Sequence, residues 1–160
     1  MAIRELRYDG DEILRKRSRE VEVVDDKIRQ ILADMEETMH VSNGVGLSAV
    51  QVGILKRLIV IDIFYDGRPS IKLVNPVIVK EKGEQEVQEG CLSFPNQFAT
   101  VIRPKEVTVK GMDENGKPIT IKAKDLLAQA LCNEIDHLDG VLFVDRMEKG
   151  TLEYIDNTQN

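Results

Sequence analysis

Tryptophan is absent from this chain, and aromatic residues of all kinds make up only 4%. A core must therefore come mainly from Val, Ile and Leu. No apolar run approaches the roughly 20 residues a membrane-spanning helix needs, and the opening MAIRELRYDGDEILRKRS lacks the apolar stretch of a secretion signal. A cytoplasmic protein is the expectation. There are only two cysteines, Cys91 and Cys132, and with no secretion signal a disulfide between them is not expected. There are only two histidines, His40 and His137, so a three-histidine metal site is excluded. Repeats, low-complexity tracts and linker-like stretches are also missing. What remains is 160 residues, 42% hydrophobic and 31% charged, which fits one soluble domain over 1–160. Its last few residues, IDNTQN, are expected to be disordered. The net charge of −6 argues weakly against a nucleic-acid surface.

Periodicity supplies the elements. Asp25-Asp26 can open a helix reaching Asn43, with acidic residues well placed at its start. Ile28, Ile31, Leu32, Met35 and Met39 recur on one face of it. Gly44 stops it, and GVGLSAVQVG, residues 44–53, is too glycine-rich for a regular helix. Residues 57–63, RLIVIDI, read as a buried strand. IKLVNPVIVKEKG and EVQEGCLSF read as further strands broken by turns at Asn75-Pro76 and Lys82-Gly83. Residues 107–123 form a hairpin with Asn115-Gly116 at its tip, both taking positive φ. A second helix runs from about Lys124 to Leu138 and ends at Asp139-Gly140. The sum is an α+β domain of antiparallel sheets with two main helices.

The second helix carries LCNEIDHLDG. Positions 133 and 137 are four apart and share a face, beside an apolar stripe of Leu127, Leu131, Ile135 and Leu138. Asn133, Glu134 and His137 then sit at the edge of a core, where carboxylates seldom stand without a partner or a task. E-x-x-H alone is more often a satisfied core histidine than a ligand pair. The functional alternative makes His137 a metal ligand and Glu134 a general base acting on water. A further ligand must then come from elsewhere. Cys91, in the turn-like EGCLSFP, offers a thiolate suited to zinc or iron, whereas Cys132 suits a small buried hydrophobe.

Three stretches coincide here. GVGLSAVQVG, EGCLSFP and NEIDHLDG resemble the three signature motifs of peptide deformylase, in order and at matching separations. IRELRYDGDEILRK, VIRP at 101–104 and the ENGK hairpin also fit, so the resemblance covers essentially the whole chain. It implies an α+β fold with antiparallel sheets packed around a C-terminal metal-site helix. It implies a metal-dependent hydrolase that removes the N-formyl group from the N-terminal methionine of nascent proteins and releases formate. The metal would be one divalent ion, Fe(II) first, with Zn, Ni or Co as substitutes. The ligand positions map to Cys91, Asn133 and His137, and the catalytic glutamate to Glu134. The side chain of Gln51 and the backbone N–H of Leu92 match the donors to the reacting oxygen. Gly46 matches the backbone position that pairs with the substrate peptide, a turn requirement being the competing reading for the glycines. Val45, Leu126 and Ala130 match positions shaping the methionine pocket, though plain core packing explains them equally well. The partners implied are N-formylmethionyl peptides and nascent chains, with the ribosome as a further candidate, and no membrane or specific nucleic acid. Glu89 and Arg103 are expected to pair near Cys91, a solvated surface pair being the alternative.

The chain departs from the pattern in three places. Ser48 stands where the family has a small alanine, and Phe98 where some members carry a basic residue. Asn133 stands where L-C-H-E-I-D-H is expected. Asn offers a carbonyl oxygen, a harder and weaker ligand than imidazole, on a shorter side chain. Three accounts fit: an engineered ligand variant, a natural variant with weakened metal binding, or a non-catalytic protein that binds formylated N-termini.

Overall fold

The computed structural model describes residues 2–63 and 68–155. Asp156 and the residues after it, which include most of the tail expected to be disordered, lie outside the described residues. Helix α1, Asp26–Val41, starts as the acidic pair requires: Asp25 is the N-cap, and its carboxylate accepts from Ile28 N. It stops two residues short of Asn43, which takes a left-handed φ of 58° and donates its N–H to His40 O. Asn43, not Gly44, makes the reversal. Helix α2, Asp125–Leu138, ends at Asp139, with Gly140 at φ 74°. A short third helix, α3 at Phe143–Arg146, has no signal in the periodicity.

Among the described residues, eight strands form two antiparallel sheets. The larger runs β1 (Gly46–Ser48), β2 (Leu58–Ile61), β3 (Ile71–Lys82), β6 (Glu106–Met112), β7 (Pro118–Lys124) in that spatial order. The smaller runs β4 (Gln85–Cys91), β5 (Phe94–Arg103), β8 (Glu153–Tyr154). β2 explains why a continuous apolar run was needed at 58–61. Leu58 and Val60 face the α1 stripe of Ile28, Ile31, Leu32 and Met35, while Ile59 and Ile61 face Leu131, Ile135 and Leu138 of α2. Alternate side chains point to opposite faces, so a strand between two helices must be apolar throughout. A third cluster joins Phe94 and Phe143, edge to face with centroids 5.3 Å apart, to Leu14, Val101 and Leu142.

Two expectations change. Asn75-Pro76 does not break a strand: β3 runs through it with a register shift between Val74 and Val77. Asn75 takes φ 52°, its Oδ1 accepts from Val21 N and its Nδ2 donates to Val21 O, each at 2.8 Å. The side chain replaces the ladder bonds a bulge forfeits. In the β6–β7 hairpin only Gly116 of the loop has positive φ, at 78°. Asp113 Oδ1 accepts from the N–H groups of Asn115 and Lys117 at 2.8 and 3.0 Å, which makes a five-residue loop of what the dipeptide suggested as a two-residue turn. No helix among the described residues is long and apolar enough to cross a membrane.

Candidate active site

A cavity of about 630 Å³ opens between β1, the β4–β5 turn and α2. Its wall includes Val45, Gly46, Gln51, Cys91, Leu92, Leu126, Ala130, Asn133 and Glu134. Every site residue expected from the sequence is in that wall except His137, which lies fully buried behind it. β1 is an edge strand of the larger sheet, so its outer edge runs along the cavity. Val45 and Leu126 are 43% and 48% exposed; they belong to the rim and not to the core, which decides against the packing explanation for those two.

His137 reaches the cavity wall through its Nε2, 3.5 Å from Cys91 Sγ. Two ligands about 2.3 and about 2.1 Å from one ion at a tetrahedral angle stand at about this separation. Cys91 Sγ also accepts from Gln51 Nε2 at 3.2 Å and from Ser93 N at 3.4 Å. Burial, and then the charge of Glu134, push the Cys91 thiol up to about 12. Burial holds His137 down at about 4, so its ring is neutral and able to coordinate. Burial first, then the nearby Glu89 charge, raise Glu134 to about 8.

Glu134 Oε1, Asn133 Oδ1 and His137 Nδ1 are all buried without a protein hydrogen-bond partner. Unpaired buried polar atoms are uncommon and call for a cause. Two of the three line the cavity, and an ion or substrate there would satisfy them. Among the described residues no three His, Cys, Asp or Glu side chains are grouped to hold a metal. Cys91 and His137 supply two such groups, and the third expected position is the carboxamide of Asn133. The donor set therefore suits a divalent ion of borderline softness, with one weak member.

The ligand-bearing elements are tied together from behind. Arg103 donates from Nε and NH2 to the two Glu89 oxygens at 2.6 and 2.7 Å, and from NH1 to Asp136 Oδ2 at 2.7 Å. Burial works against its charge, but Glu89 and Asp136 outweigh burial and raise its pKa. This is a buried link, not a solvated pair. It connects the strand two residues before Cys91 to the residue before His137. Asp136 and its further partner Arg146, NH2 to Oδ1 at 2.9 Å, were not foreseen. His40 also has an unforeseen neighbour: its Nε2 stands 2.8 Å from Asp62 Oδ2. Another unforeseen contact, Ser48 with Gln51, had a sequence signal in the S-x-x-Q spacing of a capping box.

The fold and the cavity define an α+β hydrolase with a Cys–His pair and a glutamate brought together at the cavity wall. Residues 3–153 match the family model for polypeptide deformylase. The chain is 58% identical over 146 residues to peptide deformylase 2 of Clostridium acetobutylicum, covering 91% of this chain and 95% of that protein. It is 53% identical over 147 residues to a peptide deformylase of Acetivibrio thermocellus, covering 92% and 85%. Among solved structures it resembles a peptide deformylase from Legionella pneumophila, with TM-score 0.89 and 47% identity over 92% of this chain and 88% of that one. A peptide deformylase from Synechococcus elongatus in complex with actinonin is similar at TM-score 0.89 and 45% identity, over 91% and 81%. The chain belongs to the polypeptide deformylase family, metal-dependent enzymes that remove the N-formyl group from peptides.

Proposed function

We propose that this chain deformylates N-formylmethionyl N-termini of nascent proteins, releasing formate, with a metal site weakened by Asn133. One observation carries the reading: Cys91 Sγ and His137 Nε2 stand 3.5 Å apart while Glu134 Oε1 and Asn133 Oδ1, in the same cavity wall, lack partners. Cys91, His137 and Asn133 would hold one divalent ion, Fe(II) in preference to Zn, Ni or Co. When bound, that ion supplies a Lewis acid for the formyl oxygen and acidifies water in the cavity.

The chain's own residues do the rest. Glu134 takes the proton of the attacking water as oxygen adds to the formyl carbon. It returns a proton to the amine nitrogen as the C–N bond breaks and formate leaves. Gln51 Nε2 and the Leu92 N–H donate to the carbonyl oxygen as charge collects on it, each worth a few kcal/mol in comparable sites. Gly46 on the open edge of β1 pairs with the substrate backbone in strand fashion. Val45, Leu126 and Ala130 surround the methionine side chain.

At position 133 an asparagine stands where the family pattern leads us to expect histidine. Its carbonyl oxygen is a weaker donor than an imidazole nitrogen, so metal affinity and turnover are reduced, not abolished. A non-catalytic binder of formylated N-termini is not favoured, because Glu134 and Gln51, which binding alone does not need, converge on the cavity. The reading extends to one domain over 1–160, a cytoplasmic location and nascent chains at the ribosome as the source of substrate. Protein purified without air should contain less than one metal per chain and release formate from formyl-Met-Ala in proportion to added Fe(II). Full metal loading with no formate would overturn the reading.

A further inference from the structure

We propose that Ser48 is a positioning residue for deformylation, clamping the Gln51 carboxamide so that one of its N–H groups is held on the Cys91 side of the cavity, toward the reacting oxygen. The proposal rests on the reading of Gln51 as a donor to that oxygen.

Ser48 and Gln51 are buried, 0% and 1% exposed, so water cannot substitute for a lost partner. Ser48 N lies 3.0 Å and Ser48 Oγ 2.9 Å from Gln51 Oε1. A peptide N–H can only donate, so the carboxamide atom it meets must be the oxygen. The flipped amide would set two donors face to face in a buried place. Fixing the oxygen end also fixes the other. Nε2 donates to Ser93 Oγ and to Cys91 Sγ, both at 3.2 Å. One Nε2 hydrogen is thereby anchored on Ser93, and the other points to the Cys91 side, where the cavity is.

The hydroxyl adds more than orientation. The backbone N–H sets the polarity of the amide by itself. A second donor on the same oxygen draws electron density toward it and makes the Nε2 hydrogens better donors, since linked hydrogen bonds strengthen one another. That gain is largest where charge grows on the acceptor, which is the transition state and not the bound substrate. The effect should therefore fall on kcat.

Ser48→Ala, Ser48→Thr and Gln51→Ala are compared with the parent, each loaded with Fe(II) without air. The first readout is steady-state formate release from formyl-Met-Ala. The second is the Gln51 side-chain NH2 pair in ¹⁵N NMR spectra of the metal-free proteins, where activity plays no part. Ser48→Ala should lower kcat by about 3- to 10-fold, the reach of one neutral hydrogen bond. KM and thermal midpoint should stay close to the parent's, and the Gln51 NH2 signals should shift and broaden. Ser48→Thr, which keeps the hydroxyl, should restore both readouts. Unchanged kcat and unchanged Gln51 NH2 signals in Ser48→Ala overturn the proposal. If Gln51→Ala itself keeps the parent kcat, the donor role of Gln51 falls, and a shifted NH2 pair still establishes the clamp.

Discussion

A Cβ built on Gly46 would stand 2.6 Å from Glu134 Oε2. The glycine in β1 is thus what lets the carboxylate of α2 lie against the edge strand. Gly46 has no positive φ, so an alanine there would be opposed by this contact with Glu134 and not by backbone strain. Gly46→Ala should drive the Glu134 carboxylate out of place and lower formate release by about 10²-fold, the lower end of what a positioned acid–base contributes. Metal content should hold. Activity within a factor of two of the parent would show that Glu134 needs no such seat.

Arg103 and Glu89 are 3% and 2% exposed at their side chains, so removing one leaves a buried charge without its partner. Arg103→Met should cost about 3–5 kcal/mol in urea unfolding. Because Arg103 also holds Asp136, beside His137, the variant should bind metal more weakly than the parent in a chelator competition. A loss of stability with unchanged metal affinity would confine Arg103 to a packing role.

Metal should mask Cys91 and leave Cys132 indifferent. In chelated protein the Cys91 thiol, pushed up to about 12, is almost wholly protonated at neutral pH. Its alkylation should be slow and rise about tenfold per pH unit, following the thiolate fraction. Mass spectrometry at pH 9 should find one alkylated cysteine without metal and none with it. Cys132, 3% exposed, should stay unmodified throughout. Equal rates at Cys91 with and without metal would remove it from the ligand set.

The same cavity sets a pH dependence in the metal-free protein. Glu134 is raised to about 8, so the folded state keeps a proton that the unfolded chain has already released. Stability from this group is complete below the ordinary carboxylate pKa and is lost as pH climbs to 8. His137, held at about 4, acts oppositely, but mainly below its unfolded value of 6.5. Between pH 6.5 and 8.5 Glu134 dominates, the small remaining contributions of His137 and of the two raised thiols being opposite in sign to each other, and urea unfolding should show a loss of about 2 kcal/mol. Glu134→Gln should be flat across that window. A parent protein equally flat would contradict the burial of an unpaired carboxyl.

The sequence was informative where one local pattern had one solution. The α1 stripe, the doubly buried run at 58–61 and the cap at Asp25 each specify a single element. Position 133 beside 137 was readable for the same reason, since four residues make one helical turn. Asn75 misled because a turn residue and a bulge residue share the same left-handed preference, and the choice depends on Val21, 54 residues away in sequence. Asn115-Gly116 misled because Asp113 accepts two loop N–H groups and lengthens the turn. The Arg103 link was half visible: its pairing with Glu89 joins facing strands, but Asp136 meets it only through the placement of α2. His40 and Asp62 are 22 residues apart, and no spacing rule connects them.

On the function proposed above, Asn133 is the one weak member of an otherwise complete metal site. Asn133→His should return a nitrogen donor to the helix face shared with His137. Measured together on protein purified without air, metal per chain should rise toward one and formate release should rise by orders of magnitude. Adding Glu134→Ala to that variant should remove the gain in activity and leave the metal bound. An Asn133→His protein that holds a full complement of metal and still releases no more formate than the parent would contradict the account.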